Sequence, residues 1–223
     1  MEDILEKLHN AVELGKVDRK SPYPPQLRDH DGAYEITATA LESGLGPQQI
    51  LEEALIPAMA KVGKKFSDRQ IFVPQMLLSA KAMGASMTLL KPFFASGALK
   101  SNGTFIIGTV RGDLHDIGKN LVSMMVEGGG WQVVDLGVDA GSDRFIETLE
   151  KHPGAVLGLS ALLTTTMENM KQTVEDIRAV SPSTRILIGG APVTQDFCDR
   201  IGADFYSPNG QEAVNYLKTL AGN

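Results

Sequence analysis

Near residue 99 the hydrophobic pattern of this 223-residue chain changes its period, and the change predicts two parts of different fold class. The first part reads almost entirely as helix, because apolar residues recur at helical spacing between glycine and proline breaks. Four amphipathic helices are predicted there: one ending near Gly15, Tyr34–Ser43, one beginning at Pro47, and Val73–Phe93. They predict a helical bundle over residues 1–98. The proline-rich loop from Ser21 to Gly32 is expected to lack regular structure.

Over residues 99–223, short strand-like runs alternate with helical segments. The first run is Thr104–Val110, and the later ones read WQVVDLG, AVLGLS, RILIGG and the weaker DFYS. Such alternation predicts a parallel sheet covered by helices on both faces. The expected fold class is therefore α/β, with a four-helix bundle followed by a flavodoxin-like, Rossmann-type domain of about five strands. The segment SGALKSNG is the predicted linker.

Charge and composition exclude several classes of partner. The formal net charge is −6 with no long basic stretch, which argues against binding to nucleic acid. No run of about 18 apolar residues is present, so no membrane span is expected, and the first residues lack the layout of a signal peptide. A single cysteine, Cys198, fits a reducing compartment. We expect a soluble, cytoplasmic protein.

Ligands of open parallel sheets bind beyond the carboxyl ends of the strands. The segments that follow the predicted strands, RGDLHDIGKN, SALLTTT, GGAPV and SPNGQ, are polar or rich in glycine and are expected to line one pocket. In the first of them His115 lies between Asp113 and Asp116. Imidazole is the commonest metal-binding side chain, and a carboxylate on its second nitrogen raises its basicity.

A lone histidine cannot hold a free zinc ion, which needs three or four protein ligands. His115 therefore suits a metal that arrives inside a macrocycle supplying the other donors. The alternative is that Asp113 and Asp116 are ordinary acids at a helix start and that His115 is a surface residue.

Three elements, in order along the chain, resemble the cobalamin-binding domains of methionine synthase and of corrinoid methyltransferase subunits. GDLHDIG resembles their Asp-x-His-x-x-Gly signature, Ser160-Ala161-Leu162 their Ser-x-Leu element, and Gly189-Gly190 their Gly-Gly element. The helical stretch from Val62 to Met83 resembles the cap module that precedes this domain in methyl-transferring members. The resemblance covers nearly the whole chain.

The resemblance implies a role for each matched residue. His115 would replace the lower base of cobalamin on the cobalt, with Asp113 on its other nitrogen and Thr166 ending a relay. Gly118 would let the backbone approach the corrin edge. The expected cofactor-binding set is completed by residues of the same loops: Gly112, Leu114, Asp116, Ser160, Leu162, Thr164, Gly189, Gly190, Asn209 and Gly210.

Within that set, Ser160 and Thr164 would touch the displaced nucleotide tail, with helix capping as the alternative. Gly189 and Gly190 would leave room for the tail, since a side chain there would fill its channel; ordinary turn chemistry is the alternative. Asn209 and Gly210 would lie near the base of the tail, but the segment reads Tyr-Ser-Pro-Asn-Gly where many relatives carry Tyr-x-x-Asp-Ala.

In the cap, Phe66 and Val73 would contact the upper face of the corrin, unless both belong to the bundle core. The methionines of the last helix are expected to be core residues. The loop from Ser21 to Gly32 is longer than usual for such caps and is expected to be solvated, with partner docking as the alternative.

The function implied is that of a corrinoid carrier subunit. It would hold cobalamin, as methylcobalamin or cob(I)alamin, and pass a methyl group from a substrate methyltransferase to an acceptor methyltransferase, with a reductive activator as a third partner. The donor stays open among methanol, methylamines, betaines and aryl methyl ethers, and the acceptor between tetrahydrofolate and a thiol. The alternatives are the small subunit of a cobalamin-dependent mutase, a cobalamin sensor, and a flavodoxin-like nucleotide or signalling domain.

Overall fold

The protein was analysed as a computed structural model, which describes residues 2–96 and 100–221. The chain divides into two compact units, Met1–Ser101 with Gly128–Gly130, and Asn102–Glu127 with Trp131–Asn223. The predicted boundary between residues 98 and 99, and the centre of the predicted linker, lie outside the described residues. That boundary stays a prediction.

The first unit is the predicted helical bundle. Its α-helices are α1 (Glu2–Glu13), α2 (Ala33–Glu42), α3 (Pro47–Ile50), α4 (Ile56–Ser67) and α5 (Val73–Ala95). Helix α1 packs against α2, α4 and α5, and the last two also pack against each other. Buried aliphatic and methionine side chains from these helices form its interior, among them Leu8, Val12, Leu51, Leu55, Met76, Met83, Met87 and Leu90. The methionines of α5 are core residues, as expected.

Helices α3 and α4 are continuous through one π turn, Leu51–Leu55. The amide of Ile56 donates to the carbonyl of Leu51, five residues back. Pro57 follows directly and has no amide hydrogen to donate, so a regular α-helical hydrogen bond is unavailable at that position. The wider turn lets the helical segment continue from Pro47 to Ser67, so the described part of the unit has four long helical segments besides one 3-10 turn.

The loop from Ser21 to Gly32 corrects one expectation. Pro25–Leu27 form a single turn of 3-10 helix, with Pro25 at its first position, where a missing amide hydrogen costs little. The loop is also tied down: the carboxylate of Glu35 accepts from the amides of Arg19 and Gly32. Proline therefore did not exclude a short regular element here.

The second unit is the predicted parallel sheet. Its strands are β1 (Thr104–Thr109), β2 (Gln132–Asp135), β3 (Val156–Ser160), β4 (Ile186–Gly189) and β5 (Phe205–Tyr206), all parallel and in the order β2-β1-β3-β4-β5. The connecting helices are α6 (Ile117–Gly128), α7 (Ser142–Lys151), α8 (Met167–Val180), α9 (Gln195–Ile201) and α10 (Gly210–Ala221). The flavodoxin-like strand order is confirmed.

Strands β1, β3 and β4 are almost wholly buried, which agrees with their continuous apolar sequences. Ile106, Leu157 and Ile188 belong to one cluster that also includes Phe145 of α7 and Val174 of α8. This packing makes the sheet a rigid base for the loops at its carboxyl edge. No helix in the described residues is long and apolar enough to cross a membrane.

Candidate functional site

The register of the sheet brings three strand ends into one row. Thr109 pairs with Ser160, and Ser160 pairs with Gly189. The loops that leave these residues therefore begin side by side. They are the segments in which the sequence predicted the site, and the first of them carries His115 into the start of α6.

Asp113 holds the ring of His115. Its Oδ1 lies 2.8 Å from Nδ1 of the imidazole and 3.1 Å from the amide nitrogen of the same residue. The carboxylate is fully buried, whereas 49% of the His115 side chain is exposed. The imidazole of His115 thus contacts a buried anion through Nδ1, and the rest of the side chain is partly exposed to solvent.

The second oxygen of Asp113 is bound from the end of β3. Oδ2 accepts from the amides of Leu162 (2.8 Å) and Leu163 (3.3 Å) and from the hydroxyl of Thr166 (2.7 Å). The single hydroxyl hydrogen of Thr166 has a second acceptor, the carbonyl of Leu163 at 2.9 Å. One buried carboxylate therefore joins the loops after β1 and β3.

These contacts fix both the charge of Asp113 and the tautomer of His115. Burial raises the pKa of Asp113, but hydrogen bonds from the Leu162 amide, Thr166 and His115 outweigh it and hold that pKa well below its usual range. Because an ionised carboxylate only accepts hydrogen bonds, Nδ1 must carry the hydrogen. In the neutral ring Nε2 is then the nitrogen with the lone pair, and among the described residues it has no hydrogen-bond partner.

The lowered pKa of Asp113 predicts how acid affects stability. A carboxyl group whose pKa is lower in the folded state stabilises the fold above its unfolded pKa, about 3.9, and this contribution fades as pH falls toward the folded pKa. At pH 7, Asp113→Asn should therefore lower the free energy of unfolding by about 1–3 kcal/mol. Below about pH 4 the difference from wild type should narrow. Urea unfolding followed by circular dichroism at both pH values measures it.

Asp143→Asn is the matched control for this prediction. The Asp143 side chain is 66% exposed, and within residues 2–96 and 100–221 it pairs only with the exposed Arg111 at 3.3 Å, so the substitution should matter little at either pH. A gap between wild type and Asp113→Asn that stays constant down to pH 3 would show that the charge of Asp113 is not what stabilises the loops.

Further contacts, which sequence reasoning missed, hold the loop that carries His115. The hydroxyl of Thr109 donates to the carbonyl of His115 at 2.8 Å, and Asn169 Nδ2 donates to the carbonyl of Arg111 at 2.8 Å. The amide of Gly112, a residue with φ of +80°, donates to Asp139 Oδ1 at 2.7 Å. Thr109 ends a strand and could have been predicted from that position. Asn169 and Asp139 carry no signal in the sequence.

The glycines of the site differ in what surrounds them. A Cβ atom on Gly118, in the first turn of α6, would meet nothing within 4 Å, so this position faces open space. A Cβ on Gly190 would lie 1.7 Å from the carbonyl oxygen of Ala161, and φ there is +133°. A Cβ on Gly189 would lie 3.0 Å from the carbonyl oxygen of Ser207.

The reason given for Gly190 from the sequence is therefore corrected, while the role of Gly189 beside the tail stays a prediction. At Gly190 protein backbone, and not an open channel, occupies the space that a side chain would take, whereas at Gly189 only the carbonyl oxygen of Ser207 lies within 4 Å of the added Cβ. Both glycines allow the loops after β3, β4 and β5 to pass close to one another.

Ser160 is half-buried and Thr164 is exposed. Neither hydroxyl has a hydrogen-bond partner among the described residues, and neither caps the short 3-10 helix Thr164–Thr166 or helix α8. The capping alternative does not describe them. Both side chains are free to contact a ligand at this edge.

Asn209 does cap a helix. Its Oδ1 accepts from the amide of Glu212, 3.1 Å away, at the start of α10. A Cβ on Gly210 would lie 2.6 Å from the sulfur of Met125 in α6, so this glycine lets α10 approach α6. Asp116 is exposed, and its Oδ2 accepts from Asn120 Nδ2, one turn into α6.

Large apolar side chains are exposed beside the histidine. Leu114 and Ile117 are 71% and 73% exposed, and Leu162 and Leu163 are each 42% exposed. The sequence predicted Leu114 and Leu162 as site residues and missed the other two. Exposed clusters of this kind mark binding surfaces, and here the surface adjoins a basic nitrogen.

In the first unit, Phe66 is half-buried near the end of α4, and Val73, the first residue of α5, is 37% exposed. Phe72 is 66% exposed and was not predicted. Neither Phe66 nor Val73 is therefore a fully buried core residue of the bundle.

The second unit fits the expected corrinoid. Among the described residues no group of three or more histidine, cysteine, aspartate or glutamate side chains could hold a bare metal ion. His115 offers one free nitrogen, next to apolar side chains that suit a flat macrocycle and hydroxyls that suit a polar tail. Such a set can add one axial ligand to a metal whose other ligands come with it.

Comparison with known proteins also indicates a corrinoid-binding chain. Residues 103–215 match the family described as B12 binding domain, and residues 28–91 match a second family of the same description. The chain is 37% identical over 194 residues to trimethylamine corrinoid protein 1 of Methanosarcina mazei, which covers 85% of this chain and 90% of that protein. It is 38% identical over 179 residues to the dimethylamine corrinoid protein of Methanosarcina barkeri, covering 79% and 84%.

Among solved structures, the methanol:cobalamin methyltransferase complex MtaBC of Methanosarcina barkeri contains a chain that superposes with a TM-score of 0.84. The identity is 27%, and the match covers all of this chain and 81% of the other. The domain matches and these relatives agree with the histidine found at the end of a strand. This chain belongs to the family of corrinoid proteins, and its cofactor is cobalamin.

Proposed function

We propose that this protein carries a methyl group between two methyltransferases, with cobalamin held base-off through His115. The observation that supports the proposal most is the pair formed by His115 and the buried Asp113 at the carboxyl edge of the sheet. Bound cobalamin supplies a cobalt atom that accepts a methyl group when reduced and gives it up to an acceptor. The protein residues hold and orient it.

His115 would supply the lower axial nitrogen, Nε2. Asp113 would orient the ring and raise the basicity of that nitrogen, because it accepts the hydrogen bond of Nδ1. Thr166 can donate to the Asp113 carboxylate or to the carbonyl of Leu163. If the Thr166 hydroxyl switched from one acceptor to the other, the negative charge on Asp113 Oδ2 would change. The strength with which Nε2 of His115 donates to cobalt would then change as well.

The other site residues would hold the rest of the cofactor. The exposed side chains of Leu114 and Leu162 would pack on the corrin, and Gly118 would allow it to lie close to α6. Ser160 and Thr164 would bind the polar tail through hydroxyls that have no partner among the described residues. Asn209 and Gly210 stay in the proposal only as residues that shape the start of α10.

In the helical unit, Phe66 and Val73 are proposed to cover the upper face of the corrin. Their partial exposure is compatible with that role. The neighbouring Phe72, which is more exposed, is added to the same set.

For the donor, we propose a methylamine. The relatives that are 37–38% identical are named as trimethylamine and dimethylamine corrinoid proteins, whereas the chain from the methanol complex is 27% identical. The partners would be a methylamine methyltransferase, an acceptor methyltransferase using a thiol or tetrahydrofolate, and a reductive activator.

Transfer of a labelled methyl group tests the function directly. Purified protein loaded with cobalamin and chemically reduced is mixed with trimethylamine or dimethylamine carrying a radioactive methyl group, together with the matching methyltransferase. The label should co-elute with this protein in gel filtration in the dark and should leave it when an acceptor methyltransferase and its thiol are added. Labelled methanol with its own methyltransferase is the control for the donor.

If the protein retains label from methanol alone, the methylamine assignment is wrong and methanol is the donor. The carrier function would still hold. Absence of label from both methylamines would contradict the methylamine assignment, and absence of label also from methanol, a betaine and an aryl methyl ether, each with its own methyltransferase, would contradict the carrier function itself.

A further inference from the structure

Lys119 is a buried lysine in the first turn of α6, with only 2% of its surface exposed. Lysine is seldom fully buried unless its charge is paired. Here Nζ donates to Asp135 Oδ2 and to Asn120 Oδ1, the latter at 2.6 Å. The ammonium therefore has a specific electrostatic partner outside its own helix.

Asp135 is itself firmly placed. It is the last residue of β2 and pairs in register with Ile107 of β1. Its second oxygen, Oδ1, accepts from the amide of Gly137 at 2.8 Å. The ion pair thus ties the first turn of α6 to the carboxyl end of a strand.

The hydrogen bonds continue from Lys119 toward the histidine. Asn120 accepts from Lys119 through Oδ1 and donates through Nδ2 to Asp116 Oδ2 at 3.0 Å. The amide of Asn120 also donates to the carbonyl of Asp116 at 2.8 Å. Because Asp116 directly follows His115, an unbroken path runs from β2 to the residue beside the proposed ligand.

We propose that Lys119 and Asn120 are positioning residues for His115; the inference rests on the proposed ligation of cobalt by that histidine. His115 lies between two carboxylates that belong to separate networks. Asp113 leads to the end of β3 and sets which ring nitrogen is free. Asp116 leads through Asn120 and Lys119 to the end of β2 and sets where the histidine backbone lies.

A purely structural role is the competing explanation, since any buried ion pair can stabilise a fold. The second unit offers a comparison at its other edge. Arg178 and Asp204 form an ion pair of 2.6 Å, with 27% and 19% of their side chains exposed, next to the amino ends of β4 and β5. Its loss should affect stability alone.

The test compares three variants of the cobalamin-loaded protein with wild type. Lys119→Met combined with Asp135→Asn removes the ion pair without leaving a buried charge, and the amide oxygen introduced by the second substitution can still accept from Gly137. Asn120→Ala removes both side-chain links of Asn120, to Lys119 and to Asp116, but keeps the ion pair between Lys119 and Asp135, and alanine suits a helix. Arg178→Met is the control.

Two quantities are measured: the dissociation constant of cobalamin, and the nitrogen superhyperfine splitting in the electron paramagnetic resonance spectrum of the one-electron-reduced cofactor. In the double variant and in Asn120→Ala, we expect the dissociation constant to rise about tenfold and the split fraction of the signal to fall. Arg178→Met should unfold at a lower temperature with both quantities unchanged.

Wild-type affinity and full splitting in a folded double variant and in Asn120→Ala would overturn the proposal and leave the His115 ligation intact. Should the double variant not fold, Asn120→Ala decides alone. A wild-type spectrum without nitrogen splitting would overturn the ligation and the positioning role together.

Discussion

Replacing His115 by alanine is expected to abolish the nitrogen splitting of the one-electron-reduced cofactor completely, while the protein stays folded and still binds cobalamin. Nε2 of His115 is the one proposed nitrogen ligand, and half of the side chain is exposed, so its loss leaves no cavity in the core. The corrin and its tail keep their other contacts. Affinity should fall by about 10- to 100-fold or more, since removing only the partner that supports a metal ligand already costs about that much.

His152→Ala is the matched control, since this half-buried histidine lies just after α7 in the same unit. It should keep both the splitting and the affinity of wild type. Persistence of the splitting in His115→Ala would show that another nitrogen binds the cobalt and that Asp113 orients a histidine with a different task.

A second large effect is expected at Gly190, where even alanine should destabilise the second unit by about 3 kcal/mol or more. The added Cβ would lie 1.7 Å from the carbonyl oxygen of Ala161, and backbone cannot move aside as a flexible side chain can. The positive φ of +133° adds strain. Against a total stability of about 5–15 kcal/mol, such a loss should be plain in urea unfolding and in soluble yield.

Gly118→Ala provides the contrast. Its Cβ meets nothing, and alanine is a better helix former, so the fold should be equally or more stable while cobalamin binding weakens. If instead Gly190→Ala folds with wild-type stability and only loses cobalamin, the sequence-based explanation of an open channel would be restored and the packing argument would fail.

The sequence was sufficient for the fold, which depends on local patterns, and for expecting His115 beside Asp113, which lie two residues apart. Helical periodicity, the alternation after residue 99 and the position of His115 between two carboxylates are all readable from neighbouring residues. The pairing of Asp113 with Thr166 was accessible only through the family resemblance, since 53 residues separate them.

What the sequence could not provide depends on contacts between distant segments. The clash at Gly190 involves the loop after another strand, and Lys119 gives no sign in the sequence that it reaches Asp135. The turn at Pro25–Leu27 and the π turn before Pro57 show a different limit. Proline removes one backbone hydrogen bond. Contacts with the surrounding chain then determine whether the helix ends, tightens into a 3-10 turn or widens into a π turn.

The contacts of the Asp113 carboxylate also set the order in which the site is assembled during synthesis of the protein. Its Oδ2 is bound by Leu162, Leu163 and Thr166, which a ribosome adds about 3–10 s after Asp113 at about 5–20 residues per second. Until they arrive, nothing from β3 holds the carboxylate that orients His115. A nascent chain that ends before Thr166 therefore has no finished ligand to offer, so cofactor loading belongs to the time after the loop that follows β3 is made, when cobalamin also favours the folded chain by mass action.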